Sequence, residues 1–412
     1  MLTRRRWLAL AGVSATALPR AYAEESLKTR ASEAKPITVN ERQSRIENAQ
    51  RLMRQNGIDA ICLTGGTSLL YFTDIHWWNS ERLFIMIIPQ RGEPFFVSPA
   101  FEEERAREQI SAGLGPGHFQ VLTWQEDDSP YARVAFGLKE RGLASGQIGV
   151  EETVKYVFSN GIAQSLPAST ITSATLVTAG CRMIKSPQEI SLMRLANSVT
   201  LQAYEWAWRH LREGMTQHAF GELVSSAHSQ LGFPGEASVQ VGPFSALPHG
   251  SIQPQVIREG TILLIDGGCS VYGYESDISR TFVLGTPTDK MRKVFDIVHA
   301  AQTAALKTAR PGVACEDVDA AARKVITEAG YGPDYKYFTH RVGHGIGMDG
   351  HEWPYLVRGN KLKLARNMTF SDEPGIYIRG EFGVRLEDDM HVLEDGAELF
   401  TPQSRSLEQP FG

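Results

Sequence analysis

Thr261-Ile-Leu-Leu-Ile-Asp-Gly-Gly-Cys-Ser-Val-Tyr-Gly-Tyr-Glu-Ser-Asp-Ile-Ser-Arg-Thr-Phe-Val283 is the stretch from which the fold can be read. The apolar run Thr261–Ile265 has the character of a buried strand, and it ends on Asp266. A polar and aromatic stretch from Tyr274 to Val283 returns, with Gly273 available for the turn. Folding the chain at about Val271–Tyr272 sets Asp266 opposite Asp277. Directly opposed residues of antiparallel strands share a face, with Cβ atoms ~5 Å apart. Two carboxylates so placed repel, and a bound cation is the simplest compensation.

The same pattern recurs downstream. Asp372-Glu-Pro-Gly-Ile-Tyr-Ile378 leads through Arg379-Gly380-Glu381 to Phe382-Gly-Val-Arg-Leu-Glu387, and a turn centred on Gly380 places Glu373 opposite Glu387. A single strand-face acid is most simply a solvated one; two opposed pairs beside a histidine cluster are not so easily dismissed. The cluster is His340-Arg-Val-Gly-His344-Gly-Ile-Gly-Met-Asp-Gly-His351-Glu352. Glycines at 343, 345 and 347 argue against a helix and for a strand or loop that approaches the site closely. Another histidine, His249, lies in Leu247-Pro-His-Gly250. The string Gly345-Ile-Gly347-Met-Asp-Gly350 imitates a dinucleotide-binding fingerprint, but that reading needs a following helix, and Pro354 opposes one. Asp266, Asp277, His344, Glu373 and Glu387 are therefore the candidate metal ligands. An oxygen-rich donor set with one imidazole suits Mn, Co, Fe or Zn. Four carboxylates exceed what one divalent ion needs, which points to a pair of ions.

The stretches LLIDGGCSVYGYESDISRTF, HRVGHGIGMDGHE, SDEPGIYI and GVRLEDD, in that order, resemble the pita-bread metallopeptidases, the group that holds aminopeptidase P, prolidase and methionine aminopeptidase. The resemblance covers most of the chain after about Thr38 and is strongest from about Gly242 to Gly396. It implies an α+β fold: a small creatinase-like N-terminal α/β domain, then a pita-bread domain whose curved antiparallel sheet is covered by helices. It also implies that Asp266 chelates one metal, that Asp277 and Glu387 bridge two, and that His344 and Glu373 bind the second. His249, His340 and His351 would line the substrate side, with Arg385 beside the bridging glutamate. The implied activity is hydrolysis of Xaa-Pro bonds, at peptide N-termini or in dipeptides, by a metal-bridging hydroxide, with manganese foremost among the metals. Creatinase shares the fold but lacks the full ligand set. The chain departs from the pattern at Ser371-Asp372, Ser279 and Gly350, none of which removes a ligand. The rival readings are a pita-bread enzyme of non-peptidase chemistry, such as an amidinohydrolase or lyase, and an inactive binding module.

At 412 residues the chain is too long for one typical core, so two domains are expected. With 42% hydrophobic and 22% charged residues and a net charge of −5, it has no basic stripe that would suit nucleic acid. Residues 1–23 have the form of a twin-arginine export signal. Arg4-Arg5-Arg6-Trp7-Leu8 precedes a short apolar region, Leu8 to Leu18, and Ala21-Tyr22-Ala23 is a cleavage site ahead of Glu24. That apolar run is too short to span a bilayer, so an exported, periplasmic or extracellular protein without a stable membrane span is expected. Residues 24–36 read as polar and loosely ordered. Cys62, Cys181, Cys269 and Cys315 show no C-x-x-C spacing and read as buried free thiols.

Residues 37–173 read as the α/β domain: a helix from Val39 to Gly57, strands at Asp59–Leu63, Leu83–Ile88 and Pro94–Val97, and a helix from Glu102 to Ile110. Residues 186–403 read as the catalytic domain. It opens on Ser186-Pro187-Gln-Glu189, a capping box with proline at the first helical position. Two further helices are expected at about Lys290–Thr308 and Glu316–Ala329. The aromatic loop Tyr71-Phe-Thr-Asp-Ile-His-Trp77-Trp78 reads first as ordinary packing. The alternative, implied by the resemblance, is a rim contributed to a neighbouring active site in a homodimer.

Overall fold

The computed structural model describes residues 26–411. The proposed leader, residues 1–23, lies outside the described residues, as do the first two residues of the segment after it. The rest of that segment is not loose, and the expectation is corrected there. Arg30 donates from its backbone N to Leu231 O at 2.8 Å and from Nη1 to Ser198 Oγ at 3.0 Å. Leu27 and Ala34 pack on the core of the second domain. A polar composition hides these few anchors.

The first domain runs α1 (Val39–Asn56), β1 (Ala60–Thr64), α2 (Thr67–Thr73), β2 (Ile85–Pro89), β3 (Phe95–Pro99), α3 (Glu103–Leu114), β4 (Gln120–Trp124), α4 (Pro130–Glu140), β5 (Gln147–Val150), α5 (Tyr156–Ser165), β6 (Thr170–Ser173) and α6 (Thr175–Arg182). Thr38 Oγ1 caps α1 by accepting from Glu41 N, and Gly57 stops it with φ 66°. The strands form one mixed sheet in the order β4-β3-β2-β1-β5-β6. The apolar runs of the central strands β1, β2 and β3 are explained by cover on both faces. Ile61, Leu63, Met86, Ile88 and Phe96 pack under α1, α2, α3 and α6. Ala60, Cys62, Ile85, Ile87, Phe95 and Val97 pack under α4 and α5. Val177 and Cys181 of α6 belong to the first of these cores, so its packing continues past Ser173.

The second domain runs α7 (Pro187–Arg209), α8 (Gln217–Leu231), β7 (Gly235–Val241), β8 (Ile262–Val271), β9 (Tyr274–Glu275), β10 (Ile278–Val283), α9 (Asp289–Thr308), α10 (Cys315–Ile326), β11 (Gly343–Gly345), β12 (Glu352–Leu356), β13 (Thr369–Asp372), β14 (Gly375–Ile378), β15 (Phe382–Arg385), β16 (Asp388–Val392) and β17 (Ala397–Leu399). The expected capping box opens α7: Ser186 Oγ accepts from Glu189 N, and Ser186 N donates to the Glu189 carboxylate at 2.8 Å. Every strand pairing here is antiparallel, in the orders β10-β8-β7 and β12-β11-β13-β16-β17 with the hairpin β14-β15. Helices α7 and α8 back the first sheet, and α9 and α10 back the second. This is the α+β arrangement expected. The strand β12, not a helix, follows the Gly345–Gly350 string, as the rejection of the nucleotide motif requires. All four cysteines are buried and unpaired.

One register differs from expectation. The β8 turn is the two-residue Tyr272-Gly273, closed by the pair Val271↔Tyr274, and both turn residues have positive φ, 51° and 80°. That is the signature of a type I′ turn. Moving the turn by half a residue moves the pairing by one step, and a whole-residue displacement of its centre moves it by two. Asp266 therefore opposes Ser279, not Asp277. Asp277 lies nearer the turn, between β9 and β10. Because side chains alternate with period two, it still shares the Asp266 face. The second hairpin keeps the expected register: Asp372↔Asp388 and Gly375↔Arg385 bracket Glu373 and Glu387, and Gly380 with φ 81° is at the turn.

Candidate metal centre

The inner faces of the two sheets converge on a cavity of about 440 Å³ lined by Asp266, Asp277, His344, Glu373, Glu387, Arg385, His249, His340 and His351, together with Pro248, Arg341 and Val357. All nine residues singled out in the sequence are thus brought together. Three overlapping groups place ligand atoms within 4.8 Å of one another: Asp266 with Asp277 and Glu387, His344 with Glu373 and Glu387, and Asp277 with His344 and His351.

The electrostatics of this floor are unbalanced. Burial, reinforced by the Asp266 charge, pushes the Asp277 carboxyl well above its ordinary range, and burial with the Asp277 charge does the same to Glu387. Burial raises Glu373 to about 8. Asp266 alone is held low: burial opposes ionisation, but the Arg385 guanidinium, 2.6 Å away, and Ser279 outweigh it. Ser279 Oγ lies 2.6 Å from both an Asp266 oxygen and a Glu387 oxygen, and it accepts from Arg385 Nε at 2.7 Å. One hydroxyl hydrogen cannot satisfy two carboxylates at once. Glu387 Oε1 is buried without a hydrogen-bond partner among the described residues.

His344 makes the deficit explicit. Its Nδ1 lies 3.1 Å from Gly345 O, and a carbonyl can only accept, so Nδ1 carries the proton. Burial, with His351 adjacent, lowers its pKa to about 3, so the ring is neutral and Nε2 presents a lone pair. That lone pair faces Glu373 Oε1 at 3.3 Å and Asp277 Oδ2 at 3.8 Å. An imidazole lone pair facing two carboxyl oxygens needs a proton or a cation at that point, and a divalent ion there would let both carboxyls ionise. The donor set therefore fits a divalent ion at each end of the carboxylate row.

The surrounding residues divide by what they touch. His340 Nδ1 donates to Arg341 O at 2.8 Å, so its neutral Nε2 accepts from Tyr377 OH at 2.7 Å. Burial, with Arg385 close by, brings the His340 pKa to about 3. Tyr377 OH in turn accepts from Arg385 Nη1 at 3.2 Å. His351 stacks on His344 with ring centroids 3.6 Å apart and is exposed toward the cavity mouth, as is His249. Beneath the floor, Arg280 is fully buried and joins the strands by donating to Asp388 Oδ1 at 2.6 Å and to Glu387 O at 2.8 Å. Asp389 Oδ2 accepts from Asp277 N at 3.1 Å and from Asn197 at 2.9 Å, fixing the segment that carries Asp277.

Sequence reasoning missed four participants. Ser279 was read only as a departure from a pattern. Tyr377 and Arg341 lay inside quoted motifs without a role. The Arg341 guanidinium sits 4.1 Å over the Tyr355 ring and makes no ion pair or side-chain hydrogen bond among the described residues. Glu352 was the fourth. Asp372 is fully buried and does not line the cavity, as alternation from Glu373 demands. Trp77 is packed, stacked on Phe84 at 3.8 Å, while Trp78 is 83% exposed.

Residues 191–394 match metallopeptidase family M24, and residues 45–184 match the creatinase/prolidase N-terminal domain. An Xaa-Pro dipeptidase of Lactobacillus delbrueckii subsp. lactis is 33% identical over 371 residues, covering 88% of this chain and 98% of its own. The crystal structure of dipeptidase PepE from Mycobacterium ulcerans superposes with a TM-score of 0.84 at 31% identity, covering 91% of this chain and 99% of its own. An Xaa-Pro dipeptidase from Bacillus anthracis gives 0.77 at 30% identity, covering 89% and 99%. The chain belongs to metallopeptidase family M24, with a creatinase/prolidase N-terminal domain ahead of its catalytic domain, and is a metal-dependent hydrolase.

Proposed function

We propose that the protein hydrolyses Xaa-Pro dipeptides with two divalent ions held by Asp266, Asp277, His344, Glu373 and Glu387. The observation that carries this reading is the neutral His344 Nε2 aimed at two carboxylates. The four carboxylates, once ionised, outnumber the Arg385 guanidinium that pairs with Asp266, and they fall into two ligand groups, Asp266 with Asp277 and Glu387, and His344 with Glu373 and Glu387, which supports two ions over one. Oxygen donors in this proportion favour the harder ions, manganese first and then cobalt, iron and zinc.

When bound, the ions polarise the scissile carbonyl and lower the pKa of the attacking water. The chain supplies the rest. Asp266 and Arg385 hold each other, which keeps the carboxylate row from collapsing onto Ser279. His340 has both ring nitrogens engaged, so it orients Tyr377 and the wall and does not move a proton. His249 and His351, at the mouth, are free to hydrogen-bond the substrate and the charge that develops on its carbonyl. Arg341 lies over the Tyr355 ring without a carboxylate partner among the described residues. A guanidinium suits a carboxylate bidentately, and a dipeptide presents its terminal carboxylate one residue beyond the scissile bond. Arg341 therefore favours dipeptides over longer peptides.

The deciding experiment is a matrix of Mn, Co, Zn and Fe against Xaa-Pro dipeptides, Xaa-Pro tripeptides and non-proline dipeptides. Turnover confined to the first class supports the reading. Equal turnover on non-proline dipeptides would overturn it. Export is proposed on the sequence alone: Arg4-Arg5 with Trp7-Leu8 fits the route that carries folded proteins, and a site assembled from distant segments couples metal loading to folding. Replacing both arginines by lysine should strand active enzyme in the cytoplasm; unchanged export of that variant would show the leader to be misread.

A further inference from the structure

The segment that carries His351 is an irregular excursion. Strands β11 and β12 pair at His344↔Tyr355 and Gly345↔Glu352, with the register broken between His344 and Gly345. Residues 346–351 loop out and return at Glu352. Among the described residues the His351 side chain makes no hydrogen bond, and its only recorded ring contact is the stack on His344. Its position therefore depends on where the backbone re-enters at Glu352.

Glu352 is anchored from outside the catalytic sheet. Its side chain is 5% exposed, and its two oxygens are taken by different cations. Lys185 Nζ, 2% exposed, in the junction after α6, donates to Oε1 at 2.6 Å. Arg182, the last residue of α6, donates to Oε2 and also to Asp349 within the excursion. Thr67, the first residue of α2, donates to the other Asp349 oxygen. Gly347 completes the fit: a Cβ there would lie 2.6 Å from Glu352 Oε1 and 2.9 Å from Lys185 Cε. Both cations and the threonine come from the first domain or its exit. A buried glutamate between two cations is a stiff fixture, because removing one partner leaves uncompensated buried charge.

We infer that Glu352, clamped by Lys185 and Arg182, is a positioning residue for His351, so that the first domain sets the geometry of the substrate side of the active site. The inference rests on the substrate-side reading of His351 given above. It makes the first domain part of the catalytic apparatus although none of the candidate ligands lies in it.

A double-mutant cycle tests it, with kcat and KM on an Xaa-Pro dipeptide, metal content and melting temperature measured for each variant. Glu352→Gln should lower kcat about tenfold or more with two metals retained. In the His351→Ala background the same change should cost less than about twofold, because the group it positions is gone. Arg182→Gln, which leaves Lys185 on Glu352, perturbs the clamp more gently and should show the same non-additivity if Glu352→Gln fails to fold. A loss of equal size in both backgrounds would reduce the clamp to a structural contact and overturn the inference alone. Wild-type kinetics for His351→Ala would overturn the substrate-side reading and the inference with it.

Discussion

Replacing Asp277 by asparagine probes the metal centre most directly, because Asp277 belongs to two of the three ligand groups. The change is nearly isosteric and keeps the backbone N that Asp389 accepts from. Its effect is on charge. The His344 Nε2 to Asp277 Oδ2 distance of 3.8 Å sets the scale of the site. Unit charges ~4 Å apart at an effective dielectric of about 20 interact by about 4 kcal/mol, so against a doubly charged ion the loss is at least that, about three decades in affinity or more. The asparagine oxygen can still coordinate, so charge is the main loss. Metal-depleted variant titrated calorimetrically with Mn should bind at least one ion about 10³-fold more weakly and lose nearly all turnover. The fold should not suffer. Burial and the Asp266 charge hold the Asp277 carboxyl well above its ordinary range, so at neutral pH its ionised form opposes folding of the metal-free protein. The metal-free variant should therefore melt at or above metal-free wild type. A variant that holds two ions at native affinity with near-native turnover would refute the assignment.

Three other outcomes follow from the same geometry. His249→Ala should cut turnover while leaving two metals per chain; loss of a full equivalent would make it a ligand. Arg341→Met should raise KM for Xaa-Pro dipeptides roughly 10- to 100-fold, the loss of a charge-assisted contact worth about 1.5–3 kcal/mol, and should leave the C-terminally amidated dipeptide little changed; equal effects on both substrates would remove the carboxylate role. Arg280→Met strands Asp388 beneath the floor and should cost about 3–5 kcal/mol in urea unfolding; a loss under about 1 kcal/mol would mean that the pair is not what ties β10 to β16.

The sequence by itself determined the elements and the candidate ligands, because both are local in origin. Caps and breakers set the helices: Thr38 and Gly57 bound α1, and Ser186 with Glu189 opens α7. Period-two alternation and a glycine-centred turn were enough to place Glu373 against Glu387. The first hairpin shows the limit of such reasoning. Tyr272 adopts a positive φ that only the closed hairpin enforces, so the pair Asp266–Ser279 could not be read from composition. What only the tertiary structure decided is which groups share a proton or a charge. Ser279 between Asp266 and Glu387, and the tautomer of His344, depend on distances between strands brought together by folding. Glu352 meets Lys185 across 167 residues of chain, and Arg182 across 170. Such pairs leave no periodicity in the sequence, since long-range electrostatic complementarity has no local pattern, and they exist only once two separately patterned domains have docked.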